Sequence, residues 1–236
     1  CWNDGCNMVS RVATDSRGDV YVATLAFGMQ GTVTKIAANR SHCIDRNENG
    51  VIETSVGDVP LDYGADECVL WTTPVGNPNG VLRSLIVDRG DDTRPNGYVW
   101  VGSYNESRLF KLDPVNGRVM ETVDLGIRPF GSVIATDGTI WIGTLGDGQL
   151  QSVNSQTGQA GPVIENPTEL REGCRSSYGM TLDRGGRIWL SGWDCPDAIG
   201  FNPVTRQWCR ASLPFDLPVG RGMTADSDGR VWAALG

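Results

Sequence analysis

Phe130-Gly131-Ser132-Val133-Ile134-Ala135-Thr136-Asp137-Gly138-Thr139-Ile140-Trp141-Ile142-Gly143-Thr144 contains the pattern from which the rest of the chain can be read. Two short apolar runs rich in β-branched residues flank Asp137-Gly138, a turn signal, so the segment reads as strand, turn and returning strand. Its second half recurs. Gly18-Asp19-Val20-Tyr21-Val22, Gly97-Tyr98-Val99-Trp100-Val101, Gly186-Arg187-Ile188-Trp189-Leu190 and Gly229-Arg230-Val231-Trp232-Ala233 repeat the Gly, the β-branched residue and the aromatic of Gly138–Ile142. The aromatics are spaced by 79, 41, 48 and 43 residues. The last three spacings match a four-stranded repeat of roughly 40–50 residues, and the first carries an insertion.

The first half recurs too. Tyr178–Asp183 and Arg221–Asp226 align directly with Phe130–Ala135, and Ser10–Asp15 and Arg83–Asp88 align more loosely. A third mark stays in phase: Asp113, Asn154 and Asn202 each open a hairpin turn 13 residues after their Trp. In the third unit the strands are expected at Phe130–Ala135, Thr139–Thr144, Gln149–Asn154 and Gln159–Glu165. Four short antiparallel strands cannot bury both faces alone, and stacking such sheets around an axis does so, which makes the fold class an all-β β-propeller. Gly131, Gly179 and Gly222 then let the innermost strands crowd together. The recurrent Trp reads as packing between sheets, ahead of a binding platform. The composition agrees, with 31 Gly and 8 Trp against 5 Phe and 5 Tyr.

Residues 11–75, 83–126, 128–166 and 176–215 supply four units, and Arg221–Asp226 and Arg230–Ala234 two strands of a fifth. One propeller domain over 1–236 is therefore expected to belong to a six- or seven-bladed ring, with a closed five-bladed ring as the alternative. The chain begins at Cys1 without an initiator Met or a leader segment, which reads as part of a longer chain ahead of a mature lipoprotein. A net charge of −8 argues against a nucleic-acid surface, and no apolar run approaches a membrane span.

Arg128-Pro129-Phe130-Gly131, followed by Asp137-Gly138-Thr139-Ile140-Trp141, resembles the P-x-G-I…D-x-x-G-x-x-W repeat of virginiamycin B lyase-like and NHL-type propellers. The resemblance covers nearly the whole chain outside the insertion. It implies the fold, and it leaves lyase, lactonase and plain binding roles open. The lyases of that family are expected to use a His base and Mg²⁺ near the channel. This chain has one His, His42, and it lies in the insertion.

The insertion spans 38–67. Asp45-Arg46-Asn47-Glu48-Asn49-Gly50-Val51-Ile52 matches the first eight positions of an EF-hand-type calcium loop. Alternating Asp and Asn side chains converge on a hard cation, Gly at the sixth position permits the bend, and the seventh offers its carbonyl, here that of Val51. Glu53 stands at the ninth position, but Val56 stands at the twelfth, where the motif wants a bidentate Glu. Asp58, Asp62, Asp66 and Glu67 are near in sequence, and the expected Ca²⁺ ligands are Asp45, Asn47, Asn49, Val51, Glu53 and Asp66. A polar loop without metal is the alternative. The segment also resembles the calcium-loop insertions, followed by an Asp-Glu-Cys strand, of bacterial propellers.

Seven scattered cysteines without CxxC spacing point to disulfides and an extracytoplasmic, secreted or cell-surface location. Cys43 and Cys68 bracket the metal loop, and Cys174 and Cys195 reach the same end of one sheet, so these are the expected pairs. Cys1, Cys6 and Cys209 are left unassigned. Propeller enzymes work at one mouth of the channel. Arg83, Phe130, Tyr178 and Arg221 fall there and suit an anionic or sugar-like ligand, unless Arg83 and Arg221 pair with Asp88 and Asp226. Asn39-Arg40-Ser41 and Asn105-Glu106-Ser107 match the glycosylation sequon. No nucleophile motif or phosphate loop stands out. The chain therefore reads as a calcium-stabilised binding or assembly module, with other chains of an extracellular assembly or the remainder of its own propeller as partners, ahead of a streptogramin-lyase-like or lactonase-like enzyme.

Overall fold

The computed structural model describes residues 8–62, 64–146, 148–171, 174, 177–192, 195–212 and 220–235, the side chains of 171, 177, 221 and 235 excepted. Cys1 and Cys6 lie outside the described residues. The chain divides into two compact units, residues 1–106 with 110–122, and 107–109 with 123–236.

The first unit begins with an antiparallel sheet of β1 (Val9–Thr14), β2 (Val20–Thr24), β3 (Thr32–Ile36) and β4 (Val69–Pro74), paired in chain order. The next sheet runs β5 (Leu82–Val87), β6 (Val99–Ser103), β7 (Arg108–Leu112) and β8 (Val119–Asp124), and the boundary between the units passes through its two outer strands. Alternation along β2 and β3 turns Tyr21, Ala23 and Val33 inward, where they pack with Leu82, Leu85, Val99 and Val101 of the next sheet in one apolar core.

The second unit holds β9 (Gly131–Ile134), β10 (Thr139–Gly143), β11 (Leu150–Asn154) and β12 (Ala160–Ile164), again in meander order. A one-turn helix, α1 (Thr168–Arg171), precedes a sheet of β13 (Ser177–Leu182), β14 (Ile188–Gly192), β15 (Ala198–Asn202) and β16 (Gln207–Ala211). Two further strands, β17 (Gly220–Ala225) and β18 (Val231–Leu235), pair with each other. Among the described residues this makes four four-stranded sheets and one of two strands, each blade-like in its order. The strands of the third sheet fall within a residue or so of their expected bounds.

Gly179 shows why the repeat keeps a glycine: a Cβ there would lie 2.8 Å from the Met223 backbone nitrogen on β17. Gly131 is nearly as tight, with Met180 Cβ at 3.3 Å, whereas Gly222 has nothing within 4 Å. The recurrent aromatics are core residues where sheets cover them. Tyr21 and Trp100 are fully buried and Trp141 nearly so, but Trp232 on the two-stranded sheet is 59% exposed.

In every sheet but the third, the turn before the aromatic contains a device that the sequence pattern does not announce. Asp88 accepts the Gly90 and Tyr98 N–H groups on one oxygen and the Trp100 indole N–H, at 2.8 Å, on the other. Asp183 does the same for the Arg187 N–H and the Trp189 indole, and Asp226 for its turn and the Trp232 indole. In the first sheet Asp15 takes the Tyr21 hydroxyl instead. One carboxylate thus closes the turn and satisfies the aromatic's polar edge.

Candidate functional site

The insertion leaves β3 through a 3₁₀ turn, Arg40–His42, and returns to β4 at Val69. Cys43 and Cys68 lie at disulfide distance with Cα atoms 4.4 Å apart, so the start and end of the segment are tied together. His42 anchors it to the first sheet, its Nδ1 lying 2.8 Å from Asp19 Oδ1. Asp19 is buried and also faces Lys35, whose ammonium lies 3.3 Å from its other oxygen. Burial alone would raise the Asp19 carboxyl, but the Ala38 N–H, His42 and Lys35 together hold it below the ordinary carboxylate value.

Within the loop, Asp45 accepts the Asn49 and Gly50 N–H groups at 3.2 and 2.8 Å, one on each oxygen. Asn47 Oδ1 accepts the Asn49 N–H, and Asn49 Oδ1 the Val51 N–H. These bonds wind the side chains of positions one, three and five round a single turn, and Gly50 makes the bend at φ +82°. Glu53 faces the same turn, receiving the side-chain amides of Asn47 and Asn49 at 3.1 and 2.8 Å.

Glu67, which is only 3% exposed, is set against the loop. Its oxygens accept the Arg46 N–H at 2.6 Å and the Glu53 N–H at 3.0 Å, from positions two and nine of the loop. Its backbone bonds to Ile44 and Glu53, flanking the turn on both sides. The Glu53 and Arg46 N–H groups hold its carboxyl below the ordinary value against the cost of burial. Asp66 is placed differently. It accepts the Ser55 N–H and hydroxyl on one oxygen and the Cys68 N–H on the other, so it staples the end of the segment. Burial pushes its carboxyl up, and those bonds outweigh it and bring it down. The donor set is all oxygen, dominated by carboxylates and amides on one turn, which fits a hard cation of the Ca²⁺ type.

Cys174 and Cys195 form the second pair at disulfide distance, with Cα atoms 5.0 Å apart and both residues buried. Asp197 lies beside them and ion-pairs with Arg210. Cys209, on β16, is the unpaired cysteine among the described residues.

The expected mouth residues are spread over both units. In the first, the Arg83 guanidinium lies over the ring of the exposed Phe27, 5.7 Å from its centroid, and Asp88 is occupied by its turn and Trp100. In the second, Phe130 and Tyr178 meet edge to face at 5.0 Å, and Phe130 is buried. The Arg221 side chain lies outside the described residues, and Asp226 bonds to Trp232 and Arg230. Phe27 was not legible as a partner of Arg83, because only the fold brings the turn after β2 against β5. No helix among the described residues is long and apolar enough to cross a membrane.

No protein-family model matches the chain, and no curated protein matches it. Solved structures do. A streptogramin B lyase, 14% identical, aligns over 97% of this chain and 62% of its own with a TM-score of 0.70. A catalytically inactive His-to-Ala variant of virginiamycin B lyase from Staphylococcus aureus, with quinupristin, is 13% identical and aligns over 100% of this chain and 65% of its own, with a TM-score of 0.72. Hydrazine synthase from Kuenenia stuttgartiensis is 10% identical and aligns over 99% of this chain and 59% of its own, with a TM-score of 0.66. The chain thus spans less than two thirds of these proteins, and what it shares with them is the fold, that of a β-propeller.

Proposed function

We propose that this chain is an extracytoplasmic propeller, stabilised by Ca²⁺, that serves as a binding and assembly module. The observation that carries the metal is the insertion itself. Asp45, Asn47, Asn49 and Glu53 share one turn with Val51, and Glu67 binds the backbone of that turn at Arg46 and Glu53. These residues would hold the ion, while Asp66 would position the segment through Ser55 and Cys68. Bound there, Ca²⁺ would supply charge neutralisation and cross-linking of a segment rich in carboxylates. The two cysteine pairs at disulfide distance are consistent with an oxidising compartment.

A second reading, a lyase-like enzyme with its site at the channel mouth, is favoured by the likeness to the two lyases. Against it, the single histidine of the chain is His42, which is bound to Asp19 beneath the insertion and lies on no inner strand.

Calorimetric titration of the chelated full chain with Ca²⁺ tests the module reading. One site is expected, and Ca²⁺ at about a hundredfold its Kd should add about 2.7 kcal/mol to stability. Glu67→Gln should weaken binding far more than Asp66→Asn. An absence of heat and of any thermal shift would remove the metal. A divalent ion held instead by side chains of several inner strands would favour the enzyme.

A further inference from the structure

One cavity of the first unit lies apart from the calcium loop and has no part in the reading above. It measures about 140 Å³ and is bounded by Arg17 after β1, Lys35 on β3, Arg94, Pro95 and Asn96 before β6, and Pro114 after β7.

Its acceptors are occupied from within. The Lys35 ammonium lies 3.3 Å from the Pro114 carbonyl, which also accepts the Trp71 indole N–H, and within 3.5 Å of Asp15 and Asp19. Asp113 takes Nε and Nη2 of Arg94 together with the Val115 N–H. Asp91 takes the Thr93 and Arg94 N–H groups and the Tyr98 hydroxyl. Arg94 Nη1 donates to the Thr93 carbonyl, and Asn96 Oδ1 accepts the Ser16 hydroxyl. The lining side-chain groups left without a hydrogen bond among the described residues are donors, namely the exposed guanidinium of Arg17 and the amide NH₂ of Asn96. The backbone of Arg17 is nonetheless fixed, because its N–H and that of Asp19 both bond to Asp15 Oδ1 and set the turn.

A cavity whose unbonded side-chain groups are donors favours a ligand that accepts. A guanidinium favours a carboxylate, which it can meet with two parallel N–H bonds. The rest of the lining includes the apolar surfaces of Pro95, Pro114 and Val115. A space of about 140 Å³ suits an occupant of a few heavy atoms. We infer that this cavity binds a short-chain carboxylate, its oxygens on Arg17 and Asn96 and its hydrocarbon against the two prolines and Val115. Asp15, Asp19, Asp91 and Asp113 stand close behind, so the affinity is set low, in the millimolar range.

The test is a propionate titration of the ¹⁵N-labelled full chain at fixed ionic strength, following the amide resonances of residues 16–18 and 93–97. Saturable shifts confined to those residues are expected, weakened about tenfold or more in Arg17→Gln, the loss of one charge-assisted pair. Propylamine, of similar shape but opposite charge, should produce none. Saturation that survives unchanged in Arg17→Gln overturns the site. An equal response to sulfate overturns the role of the apolar wall and reduces the effect to general anion binding. If Arg17→Gln disturbs the spectrum at large, Val115→Asp serves instead, since it sets a carboxylate on the wall and leaves Arg17 intact; undiminished binding there also overturns the proposal.

Discussion

The connection from third to fourth strand is made in two ways within the first unit. Between β7 and β8 a short turn suffices: the Asp113 N–H donates to the Arg118 carbonyl, the Gly117 N–H to the Asp113 carbonyl, and the Asp113 side chain caps Val115. Between β3 and β4 the chain takes residues 37–68 to make the same step. Ile44, Val51, Val56 and Val59 in that excursion are all exposed, so apolar burial does not hold it. Its order comes from one disulfide-distance pair and from carboxylates that gather backbone N–H groups, with Glu67 and Asp66 at the centre. The blades rest on area removed from water, and the insertion rests on polar cross-links. The two regions should therefore fail under different insults.

The largest effect belongs to the blades. Trp100 is fully buried with its indole N–H on Asp88, and Trp100→Ala should cost about 3–5 kcal/mol in urea unfolding. Trp232 makes the same bond to Asp226 but is mostly exposed, so Trp232→Ala should cost under about 1 kcal/mol. Equal losses would mean that the clamp, and not burial, carries the energy. Next comes the insertion. Replacing both Cys43 and Cys68 by Ser should cost about 2–4 kcal/mol, with faster amide exchange at residues 44–67 and little change in the blade strands. Loss of protection in β1–β3 as well would show that the insertion supports the sheet, against the division drawn above. Asp88→Ala should cost about 1–3 kcal/mol, because it strands the Tyr98 N–H and the Trp100 indole N–H without an acceptor in a buried turn. The third sheet already carries Ala135 at the equivalent place, and Trp141 is still buried there. A loss near zero at Asp88 would make the clamp dispensable throughout.

Much of the blade architecture was legible because its cause is periodic. Gly-x-Val-Trp-Val and its four relatives mark the same strand in each sheet, and the Asp113, Asn154 and Asn202 turns fix the phase. The pairing of Cys43 with Cys68 followed from their bracketing the calcium-loop motif, and that of Cys174 with Cys195 from strand direction. The role of the repeat Asp was missed, because an acid before a turn reads as turn chemistry, and its second bond, to an aromatic several residues on, exists only once both strands pair. That Glu67 bonds to the loop backbone while Asp66 bonds to Ser55 and Cys68 was beyond the sequence for a related reason. The two residues sit in a turn closed by the Val69 N–H on the Asp66 carbonyl, and which carboxylate faces the loop depends on the Ile44 and Glu53 backbone bonds to Glu67.

The smallest effect separates the two kinds of loop by pH. Asp91, in the β5–β6 connection, accepts the Thr93 hydroxyl and the Tyr98 hydroxyl along with two backbone N–H groups, and those bonds lower its carboxyl to about 2. A carboxylate whose folded value lies below its unfolded one stabilises the fold above the unfolded value and loses that contribution as pH falls through the folded one. Its share should therefore be complete near neutrality and fade from about pH 4 toward pH 2. Asp91→Asn should unfold at a lower urea concentration than the parent at pH 6, and the gap should narrow steadily on acidification. The insertion carboxylates Asp66 and Glu67 are lowered as well, so the same titration followed by amide exchange at residues 44–67 should show that segment opening over the acid range. If the insertion opened while the Asp91 gap stayed constant, the polar turn of the blade would owe its order to the apolar core beneath it, and the two connections would differ in kind and not only in length.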